Sequence, residues 1–311
     1  MPQATRRPPS SRAAAQKRSK RSRAISRRTA RAWWQSPTLL GGTAVGIVVI
    51  VLIVIVVASQ GGSQSQAVNA DVRNPVPASV LTAVTQPSQS VLSQVGTGSS
   101  APTDKVLRLP GATTLTDSTG KPLIVYVGAE YCPYCAAERW SLTMALARFG
   151  SFNGLQTTLS SSTDVFPNTN TFTFLNATYS SSSIAFQPSE IENRAQQALQ
   201  TPSAQALQQY QNFDKPPYTS QAGAFPFVDI AGRYTLGGAG FSPQVLQGLS
   251  WSQIANELGN PSSPVTQAIV GNANVLTAAI CTATSNQSQS VCSAPYIQGI
   301  EPALNALQPP S

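Results

Sequence analysis

The chain has 311 residues, 41% of them apolar and only 10% charged, with 24 prolines and 21 glycines; it is neither a charge-rich disordered polymer nor a collagen-like repeat, and it is long enough for one sizeable core. Four cysteines and no histidine exclude Ser-His-Asp and Cys-His catalysis and His-ligated zinc or haem. The net charge of +8 suggests a nucleic-acid binder only until the charges are placed: eleven of the twenty Lys and Arg lie between Arg6 and Arg31, and the remainder sets nine bases against twelve acids.

Residues 1–38 form a basic tail. Residues 39–58, LLGGTAVGIVVIVLIVIVVA, carry no charge, and at about 1.5 Å per residue a helix of that length covers roughly 30 Å, the hydrocarbon thickness of a bilayer. The expectation is a single transmembrane anchor, with Trp33 and Trp34 at its inner edge and the basic tail kept cytoplasmic by the positive-inside rule. That puts everything after residue 58 outside the plasma membrane. The rival is a cleavable signal peptide, although the run exceeds an ordinary h-region. The tail is read as an orienting and anionic-lipid-binding segment rather than a nucleic-acid site, because no aromatics interleave its charges before Trp33.

Residues 59–104 are rich in Ser, Gln, Gly and Pro and read as an extracytoplasmic tether. Within it SVLTAV (79–84) and SVLSQV (90–95) repeat S-V-L-x-x-V, two short helical turns that either pack on the domain or are sticky linker.

Residues 105–311 read as an α/β domain. LIVYVGA (123–129) is a short apolar run bounded by the turn DSTGKP, a buried central strand. CPYCAAERWSLTMALARFG (132–150) follows as a helix with Pro133 in its first turn and Gly150 at its end. LQTTLSSS and TFTFLNATY are expected strands, EIENRAQQALQ (190–200) and TPSAQALQQYQNF (201–213) helices, and FPFVDIAGRYTLGG a hairpin; SPQVLQGLSWSQIANELGN and SPVTQAIVGNANVLTAAICT close the chain as helices. Trp140 and Trp251 sit among aliphatic neighbours and read as core.

The chemistry concentrates at Cys132-Pro133-Tyr134-Cys135, where a buried strand meets a helix. Unpaired N–H groups and the positive dipole end of a first helical turn favour thiolate over thiol, so Cys132 is the expected attacking sulfur. Cys135, one turn on, is placed to resolve a mixed disulfide. A C-x-x-C alone is ambiguous between redox and metal chemistry. Zinc would need Cys281 and Cys292 as its other two ligands, and that four-thiolate arrangement stays open beside the redox reading. No cofactor is called for. Cys281 and Cys292, across the polar loop TATSNQSQSV, are expected to form a structural disulfide outside the membrane, with a second redox-active pair as the alternative.

The run VYVGAEYCPYCAAERW resembles the strand-to-helix junction of the thioredoxin superfamily, and CPYC is the tetrapeptide of glutaredoxins, with Pro133 and Tyr134 as the active-site dipeptide. Phe225-Pro226-Phe227-Val228-Asp229 followed by Gly232 is similar to that superfamily's cis-proline loop and hairpin. The resemblance implies a thioredoxin-like mixed sheet flanked by helices, interrupted between the active-site helix and the cis-proline strand by an insertion near residues 150–215. It implies that Pro226 packs across Cys132 and Cys135 and presents an extended substrate. It departs at Tyr126, which occupies the position of a buried acid in many thioredoxins. Glu130, the nearest carboxylate, is then the candidate proton acceptor for Cys135, or else a solvated surface charge. The basic tail, anchor, tether, CPYC domain and C-terminal cysteine pair together are similar to a membrane-anchored thioredoxin-like family catalogued as domain of unknown function nine-two-nine. The function so implied is a membrane-anchored thiol–disulfide oxidoreductase acting on exported proteins and recycled by a membrane redox partner. Its alternative is a non-catalytic surface scaffold with structural disulfides.

Overall fold

The computed structural model describes residues 69–100, 105–111 and 113–308; the expected tail, the span at 39–58 and the first part of the tether lie outside them. In chain order the elements are β1 (Asn74–Pro75), α1 (Ala78–Thr85), α2 (Gln89–Val95), β2 (Val106–Arg108), β3 (Leu123–Gly128), α3 (Pro133–Leu146), β4 (Gly150–Asn153) and β5 (Gln156–Leu159). They continue with β6 (Asn170–Thr173), β7 (Thr178–Ser181), β8 (Ala185–Glu190), α4 (Ala204–Phe213), β9 (Phe227–Ile230), β10 (Tyr234–Gly237), a 3₁₀ turn at Pro243–Leu246 and α5 (Trp251–Glu257). Helix α6 (Pro264–Ala283) and three short helices, α7 (Gln289–Cys292), α8 (Pro295–Gln298) and α9 (Glu301–Ala306), complete the chain.

The main sheet is mixed, with strand order β2-β10-β9-β3-β8; β3 and β8 run parallel and the other pairs are antiparallel. All six residues of β3 are buried, as a central strand covered on both faces requires. Its alternate side chains divide accordingly. Ile124 and Tyr126 join the large core that contains α3 and α6, while Leu123, Val125 and Val127 meet Ala206, Tyr210 and Phe213 of α4 on the other face. Two small antiparallel sheets, β1-β5-β6 and β4-β7, fill much of the stretch between α3 and β8.

Helix α3 is buried on all sides: only Tyr134 among its fourteen residues is exposed to solvent. It lies between the sheet, β6 and α6, so its polar residues must find partners inside. Trp140 donates Nε1–H to the Asn170 carbonyl at 2.9 Å and Trp251 donates to the next carbonyl, Thr171, at 2.7 Å, so both expected core tryptophans are pinned on β6. Helix α6 has the length and, with a mean hydropathy of 1.2, the composition to cross a membrane, but 89% of that window is buried inside the protein, which makes it a core helix.

Of the two readings of the S-V-L-x-x-V repeats the packed one holds: they form α1 and α2, with Val80, Val84, Val91, Leu92 and Val95 in the core; each such burial is worth about 1.5–3 kcal/mol. Other features differ from expectation. Buried Asn274 of α6 donates to the Leu92 and Gly96 carbonyls at 3.0 and 2.6 Å, closing the end of α2. The folded body therefore begins before residue 105, inside the expected tether.

The expected helix at 190–200 is a loop: β8 ends at Glu190 and a bridge pairs Glu192 with Ala198. Local side-chain bonds win over helix there, because Asn193 Oδ1 accepts the N–H groups of Ala195 and Gln197. TFTFLNATY breaks into two strands at Asn176, whose φ of 62° is left-handed. Gly150 does not cap α3, which stops at Leu146; it opens β4, where a Cβ would come within 2.2 Å of the Ser180 carbonyl on the paired strand. The segment 242–260 splits into the 3₁₀ turn and α5, the latter started by a Ser250/Gln253 capping box.

Candidate functional site

Three strand ends converge at one edge of the main sheet. The parallel register sets Gly128 beside Glu190, and the antiparallel register sets Val127 beside Phe227. The loop after β3, the end of β8 and the residue preceding β9 are thereby neighbours. This register, rather than any local signal, brings Cys132, Pro226 and Glu190 to one place.

Cys132 is the N-cap of α3, with φ −74° and ψ 121°, and Pro133 occupies the first turn, where its missing N–H costs nothing. The Cys135 N–H donates to Cys132 Sγ at 3.2 Å, so the sulfur takes the place that a serine or aspartate oxygen takes in an ordinary cap. Cys132 Sγ also lies 3.8 Å from the Phe225 carbonyl oxygen, the acceptor available to its thiol, and the Phe225–Pro226 peptide is cis. Both cysteines are free. Cys132 is 6% exposed and Cys135 not at all, packed with Ala129 among Tyr131, Ile191 and Phe225. Tyr134 is the exposed member of the tetrapeptide, at 41%, and meets the Phe166 ring edge-on at 6.0 Å.

The two sulfurs are driven apart electrostatically. Burial pushes the Cys132 thiol up, but hydrogen bonds from the Cys135 side chain and N–H, with the Arg139 cation, outweigh it and leave Cys132 below an ordinary thiol. Cys135 is raised well above one by burial, by its hydrogen bond to Cys132 and by the neighbouring charge. The arrangement holds a thiolate-prone sulfur at the helix start and a protonated one behind it, which suits attack followed by resolution.

Glu130 is neither solvated nor free. It is fully buried, and Arg73 grips both oxygens, with Nε to Oε1 at 2.9 Å and Nη2 to Oε2 at 2.6 Å. The alternative of a solvated surface charge is thus overturned, and the carboxylate is engaged by a cation. Tyr126 is wholly buried; its hydroxyl meets no hydrogen-bond partner among the described residues and its ring lies edge-on to Phe174 at 5.2 Å.

Three residues at the site, Arg73, Arg139 and Glu190, are not among those the sequence pointed to. Arg139 and Glu190 form a fully buried pair, Nε to Oε1 at 2.9 Å and Nη2 to Oε2 at 2.6 Å, and Arg139 Nη2 also donates to the Ala129 carbonyl at 2.8 Å. Arg139 was findable, since four residues beyond Cys135 on a helix is the same face. Glu190 and Arg73 were not, because only tertiary structure brings them in.

Cys281 and Cys292 are joined in a disulfide and are 0% and 2% exposed. Bonded sulfurs cannot serve as the second half of a four-thiolate zinc site. Arg148 and Phe149, just past the C-terminal end of α3, line the same cavity as residues 287–291 of the bridged loop, while Cys132 caps the other end of that helix. Fourteen helical residues separate them by roughly 20 Å, too far for direct exchange, so the bridge has the position of a staple.

Fold and site together define a mixed α/β protein with a dithiol at the start of its central helix, facing a cis-proline loop. The family described as Domain of unknown function (DUF929) matches residues 113–282, more than half of the chain, and the protein belongs to that family. No curated protein and no solved structure matches it.

Proposed function

We propose that this protein is a thioredoxin-like thiol–disulfide oxidoreductase, held at the outer face of the plasma membrane by residues 39–58 and acting on exported proteins. The observation that carries the reading is Cys132: a lowered thiol capping a buried helix, bonded by the Cys135 N–H and 3.8 Å from the carbonyl of Phe225, which precedes cis Pro226. The Cys281–Cys292 disulfide supports an oxidising, extracytoplasmic setting.

In the reducing direction Cys132 Sγ⁻ attacks one sulfur of a substrate disulfide, and the other substrate sulfur leaves as a thiolate and takes a proton. Cys135 then gives up its proton and attacks Cys132 Sγ, releasing the second substrate thiolate; the substrate gains two electrons and the dithiol becomes a disulfide. Reversal oxidises a substrate dithiol, and a membrane redox partner resets the pair in either case.

Cys132→Ser abolishes turnover of a disulfide-containing peptide, and Cys135→Ser accumulates mixed disulfides on Cys132. Undiminished turnover by the doubly substituted chain overturns the proposal. The 6% exposure of Cys132 favours a second reading, a non-catalytic binding scaffold. A midpoint well below about −300 mV in glutathione buffers selects it, because such a bridge does not cycle.

A further inference from the structure

Arg148 carries a shielded guanidinium with no counter-charge among the described residues. It follows the last turn of α3, and although part of its side chain reaches the surface, Nε, Nη1 and Nη2 are all shielded from solvent and meet no hydrogen-bond acceptor among the described residues. Other arginines drawn into the body are matched: Arg73 by Glu130, Arg139 by Glu190, and Arg194 by the Ser160 and Ala70 carbonyls and Asn168 Oδ1. The titratable neighbour of Arg148 is Tyr296, a phenol that donates to Gln89 Oε1 at 3.0 Å and supplies no negative charge at neutral pH. Burial lowers the Arg148 pKa to about 10, which leaves it cationic at pH 7. A guanidinium stripped of water with all five N–H donors idle is among the costlier states a side chain can occupy.

The same residue walls a cavity of about 480 Å³, shared with Ser182, Ser183 and the bridged-loop segment 287–291. A second cavity of about 330 Å³ shares Ser182, Ser183 and Gln287 with the first and continues to Thr119 and Lys121, whose Nζ donates to the Ser181 carbonyl at 2.7 Å. The shared residues make the two cavities neighbours, walled largely by hydroxyls and amides, with Arg148 among the lining residues of one and Lys121 among those of the other. Either volume far exceeds a bare inorganic ion, and the polar walls match a ligand with many hydroxyls.

We propose that these adjoining cavities bind a polyhydroxylated oxyanion of the sugar-phosphate or sugar-acid type. Its anionic oxygens take the planar fork of Arg148, which pairs two-to-two with phosphate or carboxylate. A rotation of the long side chain turns the fork toward the cavity, and the hydroxyls of the ligand lie along Ser182, Ser183 and Gln287 toward Lys121. The Cys281–Cys292 bridge fixes the wall formed by residues 287–291. This site is separate from the dithiol and does not depend on its reading.

The test is thermal unfolding of the full chain in a non-glycosidic detergent at constant ionic strength, with glucose 6-phosphate, glucuronate, inorganic phosphate or glucose as probe. Glucose 6-phosphate or glucuronate raises Tm saturably by a few degrees, inorganic phosphate does so more weakly, and glucose does not. Arg148→Met, an apolar replacement of similar length, melts above the wild type without ligand, because an unpaired charge is gone, and loses the ligand-induced shift. Lys121→Met keeps the response to inorganic phosphate and weakens the response to glucose 6-phosphate. No shift with any anionic probe, an undiminished shift in Arg148→Met, or an equal shift with glucose overturns the proposal.

Discussion

Glu138 gives a stability measurement whose sign and size follow from its surroundings. Its side chain is fully buried on α3; Oε2 accepts the Gly240 N–H and Asn272 Nδ2–H, each at 2.9 Å, and Oε1 meets no donor among the described residues. Burial raises its pKa from 4.5 to about 8, against the pull of those two hydrogen bonds. Between those values the native state holds a proton that the unfolded chain has released, so stability falls as pH rises. The slope is about 1.4 kcal/mol per pH unit, or about 4 kcal/mol between pH 5 and pH 8. Glu138→Gln retains an acceptor oxygen for Gly240 and Asn272 and cannot ionise. It should match the wild type near pH 5 and exceed it by about 4 kcal/mol at pH 8. Urea unfolding followed by tryptophan fluorescence measures both proteins across this range; taking their difference cancels Asp229, also raised by burial to about 7, and the two cysteines. Stability curves that stay parallel from pH 5 to pH 9 would refute the buried, acid-stabilised carboxylate.

Other perturbations test the neighbouring contacts. Arg139→Met leaves Glu190 buried without its cation and should destabilise by about 3–5 kcal/mol, while the double substitution Arg139→Met with Glu190→Leu recovers most of the loss; denaturant midpoints of the four proteins decide it. Gly271→Ala places a Cβ 2.2 Å from the Thr97 carbonyl and should cost about 1–3 kcal/mol by forcing the end of α2 off α6, read as a lowered Tm with faster amide exchange in α2. Replacing Cys281 and Cys292 by Ser opens a short loop and should cost about 3 kcal/mol, a difference that disappears when both proteins are melted under reductant. Alkylation of Cys132 by iodoacetamide should rise with pH through a midpoint below that of an ordinary thiol, and Arg139→Met should move that midpoint up; an unshifted midpoint removes Arg139 from the electrostatics of the sulfur.

How much of this was legible beforehand depends on the range of the interaction that decides each element. β3, α3, the β9–β10 hairpin and α6 could be read directly because their signals are local: a β-branched run, a proline in a first turn, a turn between two apolar segments, and sustained helical spacing. The helix expected at 190–200 failed because Asn193 bonds its own neighbours and Glu190 is claimed by Arg139, fifty-one residues away. The tether boundary failed for a related reason. The Ser- and Gln-rich composition around α1 and α2 looks like linker until Asn274 and the core valines are seen to hold them.

By itself the sequence determined the chemical inventory: two thiols at the spacing of one helical turn, no histidine, a basic tail ahead of an uncharged run of twenty residues, and a proline with aromatic neighbours near position 226. Tertiary structure alone decided that Arg139 and Glu190 pair beside the dithiol, that Glu130 is gripped by Arg73 rather than solvated, and that the Arg148 nitrogens are shielded with no partner among the described residues. The physical reason is that spacing and turn chemistry act between near neighbours in the chain. Desolvation and charge pairing depend instead on which distant segments the sheet register and the packing of α3 against α6 bring within a few ångströms.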